Sequence, residues 1–353
     1  MKKLQIKSKW GRRDLILLLE RLELYVSSGL PIDNALKISG QGIPARQQKS
    51  IEQVHNDVIA GSLVSKSLAA HIGLSKTLAG LIEHGESSGE LVRALGMARK
   101  LLEREDELTK KCLSALAYPF IIGIFASLLT IGLVRGVMPQ IIPMLKSLHV
   151  QLPLITRIVM SISENIISYG LYALIGGIVA IVLFLLLYRK VKLFKKVIHM
   201  LIIQMPIVGK LVHFYSLSLF LQSCGALIES GLAVDEAYTD TVNTISLVPL
   251  QQKLSEKISY IHKGIPIGSV FLNLSKKTPS YISPLLLAGE SSGSLGSSLI
   301  RAASIIDRDM EHALKRLTSL IEPVMMAGMG IVVGGIAVSI MMPIYDISKV
   351  LQH

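Results

Sequence analysis

Two short stretches hold the residue types that nucleophilic chemistry needs. Gly85-Glu86-Ser87-Ser88-Gly89 and its letter-for-letter copy Gly289-Glu290-Ser291-Ser292-Gly293 both satisfy G-x-S-x-G. That pattern makes a nucleophile elbow only where a strand leads into the serine and a helix leaves it. Here the preceding residues carry Leu74, Leu78, Leu81 and Ile82 at helical spacing. His84 precedes the first copy, but Ala288 takes that place in the second, so no base is duplicated with the serine. The residues therefore read as a glycine-bounded turn between two packed helices. No G-x-x-x-x-G-K-[ST] phosphate loop and no H-E-x-x-H is present. The histidines are scattered, and Cys112 and Cys224 have neither disulfide nor metal-ligand spacing. The expectation is a protein that is not an enzyme, without catalytic, cofactor or metal sites.

The elements that carry these turns are set among long apolar runs. Hydrophobic residues make up 50% of the chain and charged residues only 18%. Segments 112–134, 165–188 and 323–345 contain no Asp, Glu, Lys or Arg. A helix crosses the hydrocarbon core with roughly 20 apolar residues, so transmembrane helices are expected at 117–138, 167–188 and 323–343. Run 211–228 is also uncharged. It holds His213, Ser216, Ser218, Gln222 and Ser223, which are costly in lipid, and it is assigned to a domain instead. No signal peptide is expected, because the apolar run after Lys2 and Lys3 is broken by Glu20 and Arg21.

A net charge of +12 on a soluble chain would suggest nucleic acid. Here the charges follow topology. One side of the expected spans is flanked by Arg99, Lys100, Arg104, Lys110, Lys111, Arg189, Lys190, Lys192, Lys195, Lys196, Arg308, Lys315 and Arg316; the other has only Lys146, Arg157 and Lys349. The positive-inside rule then makes 1–116 and 189–322 cytoplasmic helical domains. It makes 139–166 a periplasmic loop and 344–353 a periplasmic tail. The expected location is the bacterial inner membrane, multi-pass, with a cytoplasmic N-terminus, the lipid bilayer as a partner and no nucleic acid. The dense cluster at 189–196 reads as a topology anchor.

Self-similarity is the strongest signal. Ser28-Gly29-Leu30-Pro31-Ile32-Asp33-Asn34-Ala35 returns as Ser230-Gly231-Leu232-Ala233-Val234-Asp235-Glu236-Ala237. Glycine turns, Arg104/Arg308, Lys111/Lys315, Pro119/Pro323 and the Met138-Pro139/Met342-Pro343 pairs repeat at nearly the same offset. Each copy thus comprises a domain and the span after it, both entering the membrane in the same direction. The unpaired span 167–188 brings the chain back between them. Run 211–228 aligns with a charged amphipathic segment, which also argues against its crossing the membrane.

Each domain reads as all-helical. Leu15, Leu18, Leu19, Leu22 and Val26 form one apolar face. Gly29 suits a left-handed helix stop, Pro31 the first turn of the next helix, and Asp33 its exposed N–H groups. Ser87-x-x-Glu90 matches a capping box for a long helix through Lys111, which Ser294 does not duplicate. Breaker spacing gives five or six helices per domain. Gly132-x-x-x-Gly136, Ala173-x-x-x-Gly177 and Gly330-x-x-x-Gly334 suit close approach of spans.

Together, the segment Met205-Pro206-Ile207-Val208-Gly209-Lys210-Leu211, the Ser-Gly-Leu repeat, the duplicated Gly-Glu-x-Ser-Gly-x-Leu turn and the Met-Pro pairs resemble the type II secretion F-domain family. These are the GspF- and PilC-like platform proteins of type II secretion and type IV pilus machines. The resemblance covers nearly the whole chain. It implies an all-α polytopic membrane protein with three transmembrane helices and two repeated cytoplasmic helix-bundle domains. It also implies a separate hexameric assembly ATPase, pilin or pseudopilin, other inner-membrane platform subunits and further copies of the chain as partners. The family positions it marks are Gly29, Leu30, Asp33, Ala35, Gly85, Glu86 and Gly89, with Gly231, Leu232, Asp235, Ala237, Gly289, Glu290 and Gly293 in the second copy. To these it adds Pro119, Pro139, Pro323 and Pro343 at the span ends. A short segment before the first repeat, and Gln222-Ser223-Cys224 in place of an Arg-containing stretch, point to a type IVb or conjugative pilus member. Two other classes stay in view. Transporters also contain repeats, but this chain keeps most of its repeat outside the expected spans. A membrane-anchored signalling scaffold is the other.

Overall fold

A computed structural model describes residues 10–132, 190–272 and 274–350, with some positions between 133 and 189, among them 175–177, 179–180 and 182–188. Every regular element among them is helical. The first copy contains α1 (Arg12–Ser27), α2 (Ile32–Ser39), α3 (Ala45–Ile59), α4 (Val64–His71), α5 (Lys76–Ser87) and α6 (Leu91–Gly132). After α7 (Lys192–Gln204) comes the second copy: α8 (Val208–Glu229), α9 (Val234–Thr244), α10 (Val248–Ser255), α11 (Ile258–His262), α12 (Ile267–Val270), α13 (Ile282–Ser291) and α14 (Leu295–Val350). The single α3 of the first copy is thus answered by two short helices.

The repeat is visible in the cores. Leu18, Leu19 and Leu22 on α1 are buried, and so are their counterparts Phe220, Leu221 and Cys224 on α8. Ala35 and Leu36 correspond to buried Ala237 and Tyr238; Leu95, Ala98 and Leu102 correspond to buried Leu299, Ala302 and Ile306. The second copy uses bulkier residues. Phe220 and Tyr238 meet edge to face, and the Tyr238 hydroxyl donates to the Leu254 carbonyl at 3.0 Å. A buried phenol needs that acceptor.

Contacts divide the chain into two units. Residues Met1–Lys111 and Lys196–Ala313, which hold the domain part of each copy, form one compact unit. Cys112–Lys195 and Leu314–His353 form the other.

In the second unit, Phe120, Phe125, Leu128 and Leu129 on α6, and Val324, Met326 and Ile331 on α14, are exposed. The apolar windows of Leu91–Gly132 and Leu295–Gly335 are long enough to cross a membrane and are 0% buried. Val208–Glu229 also has the length and composition, but 67% of its window is buried within the first unit. It is a domain helix, as its hydroxyls and His213 indicate. Ile175–Tyr188 is a shorter apolar helix; residues 167–171 of the expected middle span lie outside the described residues.

Within one chain, the glycine patterns make no close approach at their described glycines. A Cβ at Gly132, Gly136, Gly177, Gly330 or Gly334 meets nothing within 4 Å. The two apolar stretches instead approach at Gly123, where a Cβ would lie 3.7 Å from Met325. Residues Ala126, Thr130, Val324 and Gly328 line a groove beside that contact. Spacing alone identifies small faces without saying which of them meets a partner.

Candidate functional site

The duplicated turn is built for packing. Gly85 lies on α5 where that helix presses on α6, and a Cβ there would overlap the Ala94 side chain. Gly289 meets Ser298 in the same way on α13 and α14. Gly89 and Gly293 close the turns at φ +77° and +69°, a region that favours glycine.

Glu86 has a job that the local pattern hides. Its carboxylate accepts from the Val64 N–H at 2.8 Å and the Ser65 N–H at 3.4 Å, and Ser65 Oγ lies 3.3 Å away. Those N–H groups open α4, whose N-cap Leu63 supplies no side-chain acceptor. Glu86 therefore caps another helix, satisfying orphan donors and complementing its dipole. The second copy departs from this. Glu290 keeps one carboxylate oxygen buried without a hydrogen-bond partner, and the corresponding α12 is only four residues long.

The capping box expected at Ser87 and Glu90 does not form. Ser87 belongs to the last turn of α5, and its hydroxyl donates to the His84 carbonyl at 2.9 Å. Glu90 pairs with Arg93 at 3.1 Å, and α6 begins at Leu91. The glycine-bounded turn is likewise shorter than expected, because Gly85, Glu86 and Ser87 are still helical. Ser88, Ser291 and Ser292 also donate to carbonyls of their own helices. With helix before each motif and these hydroxyls turned back on their own helices, the arrangement is not a nucleophile elbow.

Gly29 (φ +86°) and Gly231 (φ +100°) end α1 and α8 as anticipated. Leu30 N–H donates to the Tyr25 carbonyl and Leu232 N–H to the Leu227 carbonyl, both at 3.1 Å. This is the bridging pattern of a left-handed helix stop. Pro31 and Ala233 are N-caps, one position before the first turn. Asp33 and Asp235 lie in the first turns of α2 and α9, while Ala35 and Ala237 are fully buried. Asp235 also stands 3.4 Å from His262. Pro119 sits inside α6; Pro323 and Pro343 fall within α14; Pro139 is an isolated described position. Among the described residues no group of His, Cys, Asp or Glu could hold a metal.

The seam between the two copies is the feature no motif announced. Thr77 and Thr244 hydroxyls lie 3.4 Å apart, and Arg93 donates to the Glu229 carbonyl at 3.2 Å. The His84 ring faces Gly231, and the Thr109 and Tyr215 hydroxyls are 3.2 Å apart. Farther along, Arg104 pairs with Asp307 and Lys111 with Glu311 at 2.5 Å. Asp307 is only 2% exposed and also accepts from Ser218 at 2.5 Å. A cavity of about 260 Å³ remains in the seam, lined by Ser75, Thr77, Tyr215, Ser216, Ser223 and Thr244 among others. Asp307 itself, an acid beside the apolar pair Ile305-Ile306, is one signal of the seam in the sequence.

Two stretches, residues 18–139 and 220–343, match the family model described as type II secretion system (T2SS), protein F. Their starts and ends are offset by 202 and 204 residues, as in the internal repeat. The chain is 28% identical over 340 residues to the type IV pilus assembly protein PilC of Thermus thermophilus, covering 96% of this chain and 83% of that protein. It is 25% identical over 343 residues to PilC of Pseudomonas aeruginosa, covering 96% and 90%. With the type II secretion system protein F of Pseudomonas aeruginosa it shares 26% over 340 residues, covering 96% and 83%.

Proposed function

The chain belongs to the type II secretion system protein F family, and from that premise we propose that it couples a cytoplasmic assembly ATPase to polymerisation of pilin or pseudopilin in the inner membrane. As a member of this family it is an inner-membrane protein of a type IV pilus or type II secretion platform.

The observation that carries the coupling is the joining of both copies into one compact unit. A domain that only anchored each span would not need ion pairs to its neighbour, one of them on a buried carboxylate. Here Asp307 and Glu311 on α14 are tied to Arg104 and Lys111 on α6. α6 and α14 are also the helices that carry the unburied apolar stretches. A push on the joined domains would therefore act on both span-bearing helices at once. The positive flanks support a cytoplasmic location for the domains, on the side where a cytoplasmic motor would act. Family positions such as Glu86 and Gly85 serve this role by keeping the domains rigid, and Asp33 and Asp235 offer acidic, partly exposed contacts to partners.

The test is co-purification of the tagged full-length chain from membranes with the assembly ATPase and pilin or pseudopilin of the same system. Retention of the ATPase, reduced by Asp307→Ala at unchanged expression, is the expected result. Purification with pilin and companion membrane subunits but without ATPase, under several detergents, would remove the motor from this reading.

A further inference from the structure

The two copies within the chain meet through faces that do not correspond. The first copy contributes α5 and α6 as far as Lys111; the second contributes α8, α9 and the stretch of α14 at Asp307 and Glu311, one position out of step with its counterpart on α6. In repeat terms, the α5-type face of one copy sits on the α1/α2-type face of the next. An interface of that kind is heterologous and leaves one unused face of each type at the two ends of the pair. The unused faces are α1 with α2 on the first copy, and α13 with the start of α14 on the second.

We propose that the unused α13–α14 face of one chain docks on the unused α1–α2 face of a second copy of this chain, repeating head to tail the contact already made inside it. Three observations favour another copy as the occupant. First, the equivalent residues are available. Arg93 against the Glu229 carbonyl becomes Ser297 against Ser27, and His84 against Gly231 becomes Ala288 against Gly29. Ser27, Gly29 and Ala288 are exposed, and both glycines share the left-handed turn. Second, the charges match. Arg104–Asp307 becomes Arg308–Glu103, and Lys111–Glu311 becomes Lys315–Glu107. Arg308 and Lys315 are exposed cations without a carboxylate partner among the described residues of their own chain; Glu107 is an exposed anion 3.6 Å from Arg104, and half-buried Glu103, paired with Arg99 at 2.7 Å, would be shared between two cations. Third, α1 and α2 leave Leu17, Leu24 and Ile38 exposed at 43%, 61% and 36%, whereas Leu219, the counterpart of Leu17, lines the seam.

The α1 surface also exposes Arg13 and Glu20. It is more polar than α8, as suits a contact between chains rather than inside one. Within the chain, Arg104 and Lys111 meet Asp307 and Glu311 in the same order, so the paired stretches of α6 and α14 run parallel. Repeating that relation adds copies that all enter one bilayer in the same direction. This rests on the chain being a membrane platform and is independent of which motor drives it.

The test uses two full-length chains with different tags and Cys112→Ser. The remaining Cys224 is buried, with its thiol pushed up to about 12, and is inert. One chain carries Ser27→Cys, the other Ser297→Cys, and membranes from co-expressing cells are treated with a short bismaleimide. A mixed-tag dimer that forms only when both variants are present supports the proposal. Dimers from either variant alone, which an isologous contact would give, overturn it, as does the absence of a mixed dimer. Lys315→Glu should cut the mixed dimer roughly fivefold, and Glu107→Lys in the partner chain should restore it; failure to restore it overturns the pairing. Binding of the ATPase to the same membranes is read separately, so loss of the chain-to-chain contact and loss of the motor contact remain distinguishable.

Discussion

Arg104 on α6 and Asp307 on α14 form an ion pair that ties the two copies together, with the carboxylate side chain 3% exposed and the guanidinium side chain 31% exposed. Ser218 supplies a second donor to that carboxylate at 2.5 Å. Such a pair is costliest to break from the arginine side, because Asp307 then stays buried and unpaired, whereas Arg104 without Asp307 keeps solvent and Glu107 at 3.6 Å. Arg104→Ala should destabilise the joined domains by about 3 kcal/mol and Asp307→Ala by less. Replacing both partners, as in Arg104→Met with Asp307→Leu, should recover most of that loss. Thermal unfolding of the detergent-solubilised full-length chain checks both. Equal losses in the single and double variants would show that the pair is not what joins the copies.

Glu86 is expected to act at a distance along the chain. Glu86→Gln keeps one acceptor but removes the charge at the α4 N-terminus; Glu86→Ala removes both. Losses of about 0.5 and about 1–2 kcal/mol follow from capping energetics. Hydrogen exchange should quicken at Val64 and Ser65, not at the α6 start beside Glu90. Glu86→Lys would place a cation on that helix end and should block pilus assembly or secretion through misfolding. Normal assembly in that variant, at normal protein levels, would take the position out of the mechanism.

Two glycines on one helix should respond in opposite directions. Gly80 lies within α5 with open space where a Cβ would stand. Gly80→Ala should therefore stabilise by up to about 1 kcal/mol through lower backbone entropy in the unfolded chain. Gly85→Ala, five residues on, drives a methyl into Ala94. It should cost roughly 1–3 kcal/mol or force α5 and α6 apart. Paired melting curves decide it, and a shift of the same sign in both would contradict the close approach.

The contrast between Glu86 and Glu90 explains what the sequence could convey. The constant repeat offset announced two copies, and glycine positions announced the helix stops at Gly29 and Gly231. These are local signals, set by one residue's backbone or by simple matching. The capping template chose Glu90 because it looks three residues ahead of a serine; the real acceptor, Glu86, reaches a helix 22 residues upstream. The seam is more distant still, since Thr77 and Thr244 are 167 positions apart. Periodicity tells which face of α8 is apolar and is silent about what covers it. The unusual lack of charge along 211–228 was the trace of that cover: α8 packs on its own copy and on α5 of the other.

His213, on α8, gives the folded state a pH dependence of definite sign. Burial first, then the nearby charges of Lys277 and Lys253, lower its imidazole pKa from 6.5 to about 4. One ring nitrogen lies 3.0 Å from the Thr278 hydroxyl. Above pH 6.5 the ring is neutral in both folded and unfolded chains, and stability is unaffected. Between 6.5 and about 4 only the unfolded chain takes up the proton, so stability falls as pH falls. The loss attributable to this one group is about 2 kcal/mol at pH 5 and levels off below pH 4. His213→Gln retains a polar partner for Thr278 without titrating. Its melting temperature should therefore drop less than the parent's between pH 7.5 and pH 5. Parallel curves for the two proteins across that interval would show that His213 is protonated as readily in the folded domain as in water, and that α8 is less well covered than its burial implies.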